Sequence, residues 1–310
     1  LSWKNKIQLE GVIPATLIAF DEDFQIDEKA SRKHIRKCAL TPRISAVTVN
    51  GHSSEIHACS FDEQKKILNF SLDEIGDIVP VINGVYADGS IEAAKIAKMS
   101  DTNGASALLC FPPQSMSMGG HLRPEMAVEH FSRIADATDL PLICFNYPSS
   151  GNLSYPFETL LELFEKVPTI KAIKDWSNEP MLHEKHIKSF QNLPNPVNVL
   201  TTHSSWLMSS LVMGAKGLLS GAGSVIAFLQ VDLFFSIKNK DLETAQKINE
   251  KIYPLVQAFY APPFLDMHNR MKETLVLLGI MDKAVVRPPL MKLSEKEINS
   301  LRQAISLSGL

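Results

Sequence analysis

Cysteine is scarce in this chain of 310 residues. Cys38, Cys59, Cys110 and Cys144 are scattered, with no Cys-x-x-Cys pair among them. That spacing argues against a zinc ribbon or a disulfide framework. Cys110 and Cys144 also sit inside short apolar runs, where a thiol packs as a small core residue. Such usage predicts a reducing, cytoplasmic setting. Long hydrophobic runs are missing as well, since none approaches the roughly 18 residues that a membrane-spanning helix needs. Residues 1–6 lack the apolar core of a secretory leader. Neither sign of charge dominates: 31 Lys and Arg face 34 Asp and Glu, a net charge of -3, so nothing pulls the chain toward nucleic acid or anionic lipid. No Gly-x-Gly-x-x-Gly follows the first apolar run, which disfavours an open doubly wound sheet with a dinucleotide site.

What the chain does have is a beat. Short apolar runs at 12–18, 46–49, 79–82, 107–111, 142–145, 170–174, 197–200 and 217–219 read as strands. Amphipathic stretches at 62–75, 91–98, 124–137, 156–165 and 204–213 lie between them, most opened by Ser, Asp, Pro or Thr. Strands that are apolar on both faces and alternate with helices predict a parallel sheet covered by helices. Eight of them predict a closed (β/α)8 barrel of the TIM type, over residues 1–225. From residue 226 onward only helix-length segments follow, at 242–259, 266–278 and 294–307, separated by Pro262-Pro263 and Pro288-Pro289. Residues 226–310 are therefore expected to form a C-terminal helical region packed on the barrel or on a partner.

In a barrel of this kind the C-terminal strand ends build the active site. Lys174 closes the sixth run. Alternation along a strand puts Ile170, Ala172 and Lys174 on one face and Lys171 and Ile173 on the other. If that first face looks into the barrel, the Lys174 ammonium is desolvated, its pKa falls, and its free amine can attack a carbonyl. The alternative is a lysine that snorkels past the strand end into water. After the second strand, Gly51-His52-Ser53-Ser54-Glu55 forms a small hydroxyl-rich turn. The backbone N–H groups and hydroxyls of Ser53 and Ser54 suit a carboxylate, although a plain capping turn has the same composition. Asn146-Tyr147-Pro148-Ser149-Ser150 follows the fifth strand, Thr202-His203 the seventh and Ser220-Gly221 the eighth. His183 and His186, on a charged helical stretch, read as a solvated face rather than as metal ligands. No metal or organic cofactor is expected.

These segments together resemble the dihydrodipicolinate synthase/N-acetylneuraminate lyase family over nearly the whole chain. The resemblance is carried by Gly11-Val12-Ile13-Pro14-Ala15, the 51–55 turn, Pro80-Val81-Ile82-Asn83-Gly84, Asn146-Tyr147-Pro148-Ser149, Ile173-Lys174-Asp175 and Pro288-Pro289-Leu290. It implies a (β/α)8 barrel with a helical extension, a homo-oligomer such as a dimer or a dimer of dimers, and an imine between Lys174 and pyruvate or another 2-oxo acid. It also implies that Ser53 grips the substrate carboxylate and that His52 stands where the family often has a second hydroxyl.

The departures from the family are as informative. The relay tyrosine of the family falls on Phe145, which cannot move a proton. Tyr147, His52 or His203 is expected to take over, or else water or a substrate carboxylate. Where dihydrodipicolinate synthases carry an arginine for their aldehyde substrate, this chain has Ser150, and Gln114-Ser115 replace a pair of tyrosines. The reading is thus a class I lyase with Lys174 and Tyr147 as catalytic residues. Ser53, His52, Ser54, Phe145, Ser150, His203, Ser220 and Gly221 are expected around the substrate, which is a small 2-oxo acid rather than that of the authentic synthase. Dehydration of a sugar-derived 2-oxo acid and non-catalytic 2-oxo-acid binding are the alternatives.

Overall fold

The computed structural model describes residues 3, 4 and 6–310; Leu1, Ser2 and Asn5, part of the opening segment read for a leader, lie outside the described residues. Eight strands appear in chain order: β1 Gly11–Pro14, β2 Val47–Val49, β3 Val81–Val85, β4 Ala107–Cys110, β5 Leu142–Asn146, β6 Ile170–Asp175, β7 Asn198–Thr201 and β8 Gly217–Ser220. All their pairings are parallel, in the order β1-β8-β7-β6-β5-β4-β3-β2. A parallel bridge from Ala15 to Thr48 brings β1 alongside β2 and closes the ring. The expected (β/α)8 barrel is the observed fold.

The helices between strands are α1 Glu28–Ala39, α2 Phe61–Ile75, α3 Ser90–Asn103, α4 Pro124–Asp136, α5 Phe157–Lys166, α6 Pro180–Phe190 and α7 Leu207–Val212. After β8 come α8 Gly223–Lys238, α9 Leu242–Phe259, α10 Met267–Leu277 and α11 Glu295–Ser308. The sequence pattern does not mark α8. Its first two-thirds is buried almost without interruption, so it lacks the polar face that makes a helix visible by period. The 225/226 boundary falls inside α8, at a kink at Ile226. No helix among the described residues is long and apolar enough to cross a membrane.

Strand alternation sorts the core into two layers. Ile13, Ile82, Leu109, Ile143, Phe145, Ala172, Leu200 and Leu219 fill the barrel interior. Their neighbours Val12, Val81, Leu108, Cys144, Ile173, Val199 and Leu218 face the helices. One expectation fails. Leu142 pairs with Ile170 but Ile143 with Ala172, a bulge that skips Lys171 and turns Ile170 to the helix side. Beyond the bulge alternation resumes, so Ala172 and Lys174 share the interior face as expected.

The turn after β2 is shaped by close backbone approach. Asn50 is left-handed (φ 50°), and its side chain donates to Asn83 Oδ1 and Gln64 O, both at 2.8 Å. A Cβ on Gly84 would collide with the Asn50 carbonyl. Gly84→Ala should therefore cost about 1–3 kcal/mol, read as a lower denaturation midpoint; an unchanged midpoint would show that β3 yields freely.

Candidate active site

Lys174 is 4% exposed and lies at the C-terminal end of β6. Its register partners are Phe145 on β5 and Leu200 on β7, both interior residues. Nζ sits 4.2 Å from the centre of the Phe145 ring. No ion pair or hydrogen bond reaches Nζ among the described residues, so burial acts unopposed and pushes the amine down to about 7. The snorkelling alternative does not fit this burial.

A narrow pocket opens over Nζ, lined by His52, Ser53, Phe145, Trp176, Thr202, Gly221, Tyr260, Met267 and Met271 as well as Lys174. The fold thus brings together Lys174, His52, Ser53, Phe145 and Gly221.

Ser53 and Ser54 lie in a single 3-10 turn, His52–Ser54. The first amides of such a turn have no partner within it and face outward as donors. The Ser53 hydroxyl donates to Ala15 O (3.0 Å) or Thr16 O (3.1 Å), and Ser54 Oγ to Thr16 O (2.7 Å). Ser54 therefore anchors the turn from behind, while Ser53 lines the pocket and donates to a bound anion only by turning its hydroxyl away from these carbonyls. Glu55 ends the turn in a left-handed conformation (φ 54°). Its buried carboxylate pairs with Lys272 of α10 and accepts the Arg287 amide at 3.0 Å.

Tyr147 packs its ring on Phe145, with centroids 4.6 Å apart, and stands 6.4 Å edge-on from His52. Burial pushes its phenol well above its ordinary range. Tyr147 and the exposed Ser150 line a second recess that shares Trp176 with the first. Ser220 is buried behind the pocket, bonded to Ser204 Oγ (3.2 Å) and Gln230 (3.3 Å); Ser204 in turn donates to the Tyr260 hydroxyl (3.2 Å).

Two expectations need correction. His183 and His186 do not lie on a solvated face: both are fully buried. Each reaches Asp175 Oδ2 through Nδ1, at 2.7 and 2.8 Å, while Oδ1 accepts the Ser177 amide at 2.8 Å. Burial opposes ionisation of Asp175, yet the two imidazole hydrogen bonds hold its carboxyl well below the usual carboxylate range. His203 joins this cluster rather than the pocket, its Nε2 accepting the Asn178 amide at 3.0 Å and its ring 4.5 Å from that of His183. Thr202 takes the pocket position that the sequence suggested for His203. Ligand atoms of Asp175, His183 and His203 lie within 4.8 Å of one another, a spacing open to a metal ion. Each of these three already has a hydrogen-bond partner, while Nε2 of the neighbouring His186 has none among the described residues.

Sequence reasoning missed Tyr260, Met267, His268 and Met271. All come from the C-terminal helical region, which folds over the barrel mouth. His268 Nε2 lies 2.9 Å from His52 Nδ1. The one local signal was His268 within a buried stretch of α10, and nothing in its spacing pointed to residue 52.

The family model described as "Dihydrodipicolinate synthetase family" matches residues 8–308. A 4-hydroxy-tetrahydrodipicolinate synthase of Methanopyrus kandleri is 27% identical over 98% of this chain and 97% of its own. An uncharacterized DapA-like lyase of Halobacterium salinarum is also 27% identical, over 97% and 95%. Among solved structures, YagE of E. coli K12, a prophage protein belonging to the dihydrodipicolinic acid synthase family, determined in complex with pyruvate, superposes with a TM-score of 0.90. It is 20% identical and covers 97% of this chain and 99% of its own, a likeness of fold.

Proposed function

Given that the chain belongs to the dihydrodipicolinate synthetase family, we propose that it is an imine-forming class I lyase acting on pyruvate or another small 2-oxo acid. The observation that carries this reading is the buried, unpaired Lys174 with its amine near neutrality. At pH 7 a large share of that amine is free to attack the C2 carbonyl; loss of water then gives the imine. The protonated imine accepts electrons from C3, so a C3–C4 bond can form or break.

In this reading the amides of His52 and Ser53 hold the carboxylate, and the Ser53 hydroxyl turns from the Ala15 carbonyl to donate as well. Tyr147, with its raised pKa, stays protonated and serves as a hydrogen-bond donor to the second reactant's oxygen. The exposed Ser150 brings no positive charge to the outer recess, so a second reactant that needs its carboxylate clamped there is disfavoured. The hydroxyls of Thr202 and Tyr260 instead suit a hydroxylated partner.

The test is borohydride reduction in the presence of a panel of 2-oxo acids, followed by peptide mass spectrometry. A reduced adduct on Lys174 is expected with at least one acid. No adduct across the panel would remove the reading. An adduct without turnover of any aldehyde or hydroxy acid would favour a binding protein.

A further inference from the structure

Phe145 leaves the reacting lysine without a phenol at its own level, so the proton taken from C3 once the imine has formed needs another carrier. Tyr147 is a donor that cannot act as a base near neutrality, and His203 is tied into the Asp175 cluster. The pocket wall at the β2 turn offers a different pair. His52 Nδ1 and His268 Nε2 are 2.9 Å apart, so one of these nitrogens carries the proton and the other receives it. His52 lines the pocket with Lys174, and with Nδ1 engaged its remaining ring nitrogen is Nε2. His268 is fully buried, and its Nδ1 has no partner among the described residues. The ring of His57, an exposed residue, lies 6.2 Å from His52 and 6.4 Å from His268, and so forms the third corner of a triangle of imidazoles beside the pocket.

Electrostatics single out the same pair. Burial and then the Lys174 charge push His52 down to about 3. Burial, His52, His57, Lys272 and Lys174 push His268 well below its usual range. Both rings are therefore neutral at rest. A bound 2-oxo acid brings a carboxylate into the pocket, and that negative charge raises the proton affinity of both rings when substrate is present.

We propose that His52 and His268 are the proton relay of this site: His52 Nε2 takes the C3 proton of the Lys174-bound 2-oxo acid, and His268 accepts the Nδ1 proton of His52 in the same movement. This rests on the imine-forming reading above. The C3–H electron pair becomes the C2=C3 bond, and the C2=N pair returns to the lysine nitrogen as an enamine. The charge is then shared across the two rings. When C3 attacks the second carbonyl, the C3–C4 bond forms and the carbonyl pair moves to oxygen. That oxygen takes the proton from His52 Nε2, and Nδ1 regains its own from His268. The cycle consumes no net proton, and cleavage runs the same steps backward. His52 is a catalytic residue in this scheme, and His268 is a positioning residue that acts through it.

The experiment separates imine formation from removal of the C3 proton. Borohydride trapping of pyruvate at Lys174 reports the first, and loss of the pyruvate methyl signal in D2O by NMR reports the second. His268→Gln keeps a hydrogen-bonding group beside Nδ1 but cannot hold the extra proton, and His52→Gln removes the base itself. Both variants should trap pyruvate within a few-fold of wild type while methyl exchange falls roughly 100-fold or more. Normal exchange in either folded Gln variant would overturn the relay. So would a parallel fall of trapping and exchange, which would mean that the pair only seats the carboxylate. If one variant fails to fold, the other decides. Absence of any adduct in the wild type instead sinks the underlying imine reading, and is told apart by that control.

Discussion

Replacing Lys174 by methionine is expected to abolish borohydride-trapped adducts and, in the same protein, to raise the denaturation midpoint. The two effects have one cause. The amine is 4% exposed with apolar neighbours at its own level, and burial lowers its pKa from 10.5 to about 7. Between those values the unfolded chain binds a proton that the folded chain does not, so wild-type stability rises with pH through the window from about 7 to 10.5. Methionine removes the mismatch. The gain should be a few kcal/mol near pH 7, on the order of 1.4 kcal/mol for each tenfold loss of proton affinity, and should shrink as pH rises toward 10. Adduct formation by the wild type should follow the free amine, rising with pH around a midpoint near 7. A midpoint near 10 would mean that Nζ is solvated, and an unchanged denaturation midpoint in the variant would mean that its burial costs nothing.

The second large effect concerns the ion pair beneath the carboxylate turn. Lys272 and Glu55 are both fully inaccessible, and Lys272 also donates to Val285 O at 2.7 Å. Lys272→Met strands the Glu55 carboxylate in the core. Breaking one half of a buried pair costs roughly 3–5 kcal/mol. The double variant Lys272→Met with Glu55→Gln should recover part of that loss, because no uncompensated charge is left. Glu55 holds the left-handed end of the 52–54 turn, so the single variant should also weaken trapping of 2-oxo acids at Lys174. A double variant no more stable than the single one would show that the pair's charge is not the issue.

The course of the interior was legible because strand geometry is local. Apolar runs eight times over could be counted along the chain, and a period of two put Ala172 and Lys174 on one face without knowledge of the neighbours. The Ile170 assignment failed because a bulge depends on how β5 pairs with β6, which a single strand does not encode. Helix α8 was missed for a related reason: burial on nearly every side erases the period that marks a helix.

The histidines show the limit most clearly. His183 and His186 sit among Glu184, Lys185 and Lys188, and composition alone reads that stretch as solvated. Only the position of α6 against β6 turns their imidazoles onto Asp175.

By itself the sequence determined the barrel, its closing number of strands, the family, and a lysine at a strand end on the same face as Ala172. These follow from periodicities and motifs that each segment carries alone. Only the tertiary structure decided what surrounds that lysine. It withdrew His203, brought in Thr202 and Tyr260, and set His268 against His52 across 216 residues of chain. Such pairings depend on how the C-terminal helices pack over the barrel mouth, and no local pattern records which distant polar groups will meet.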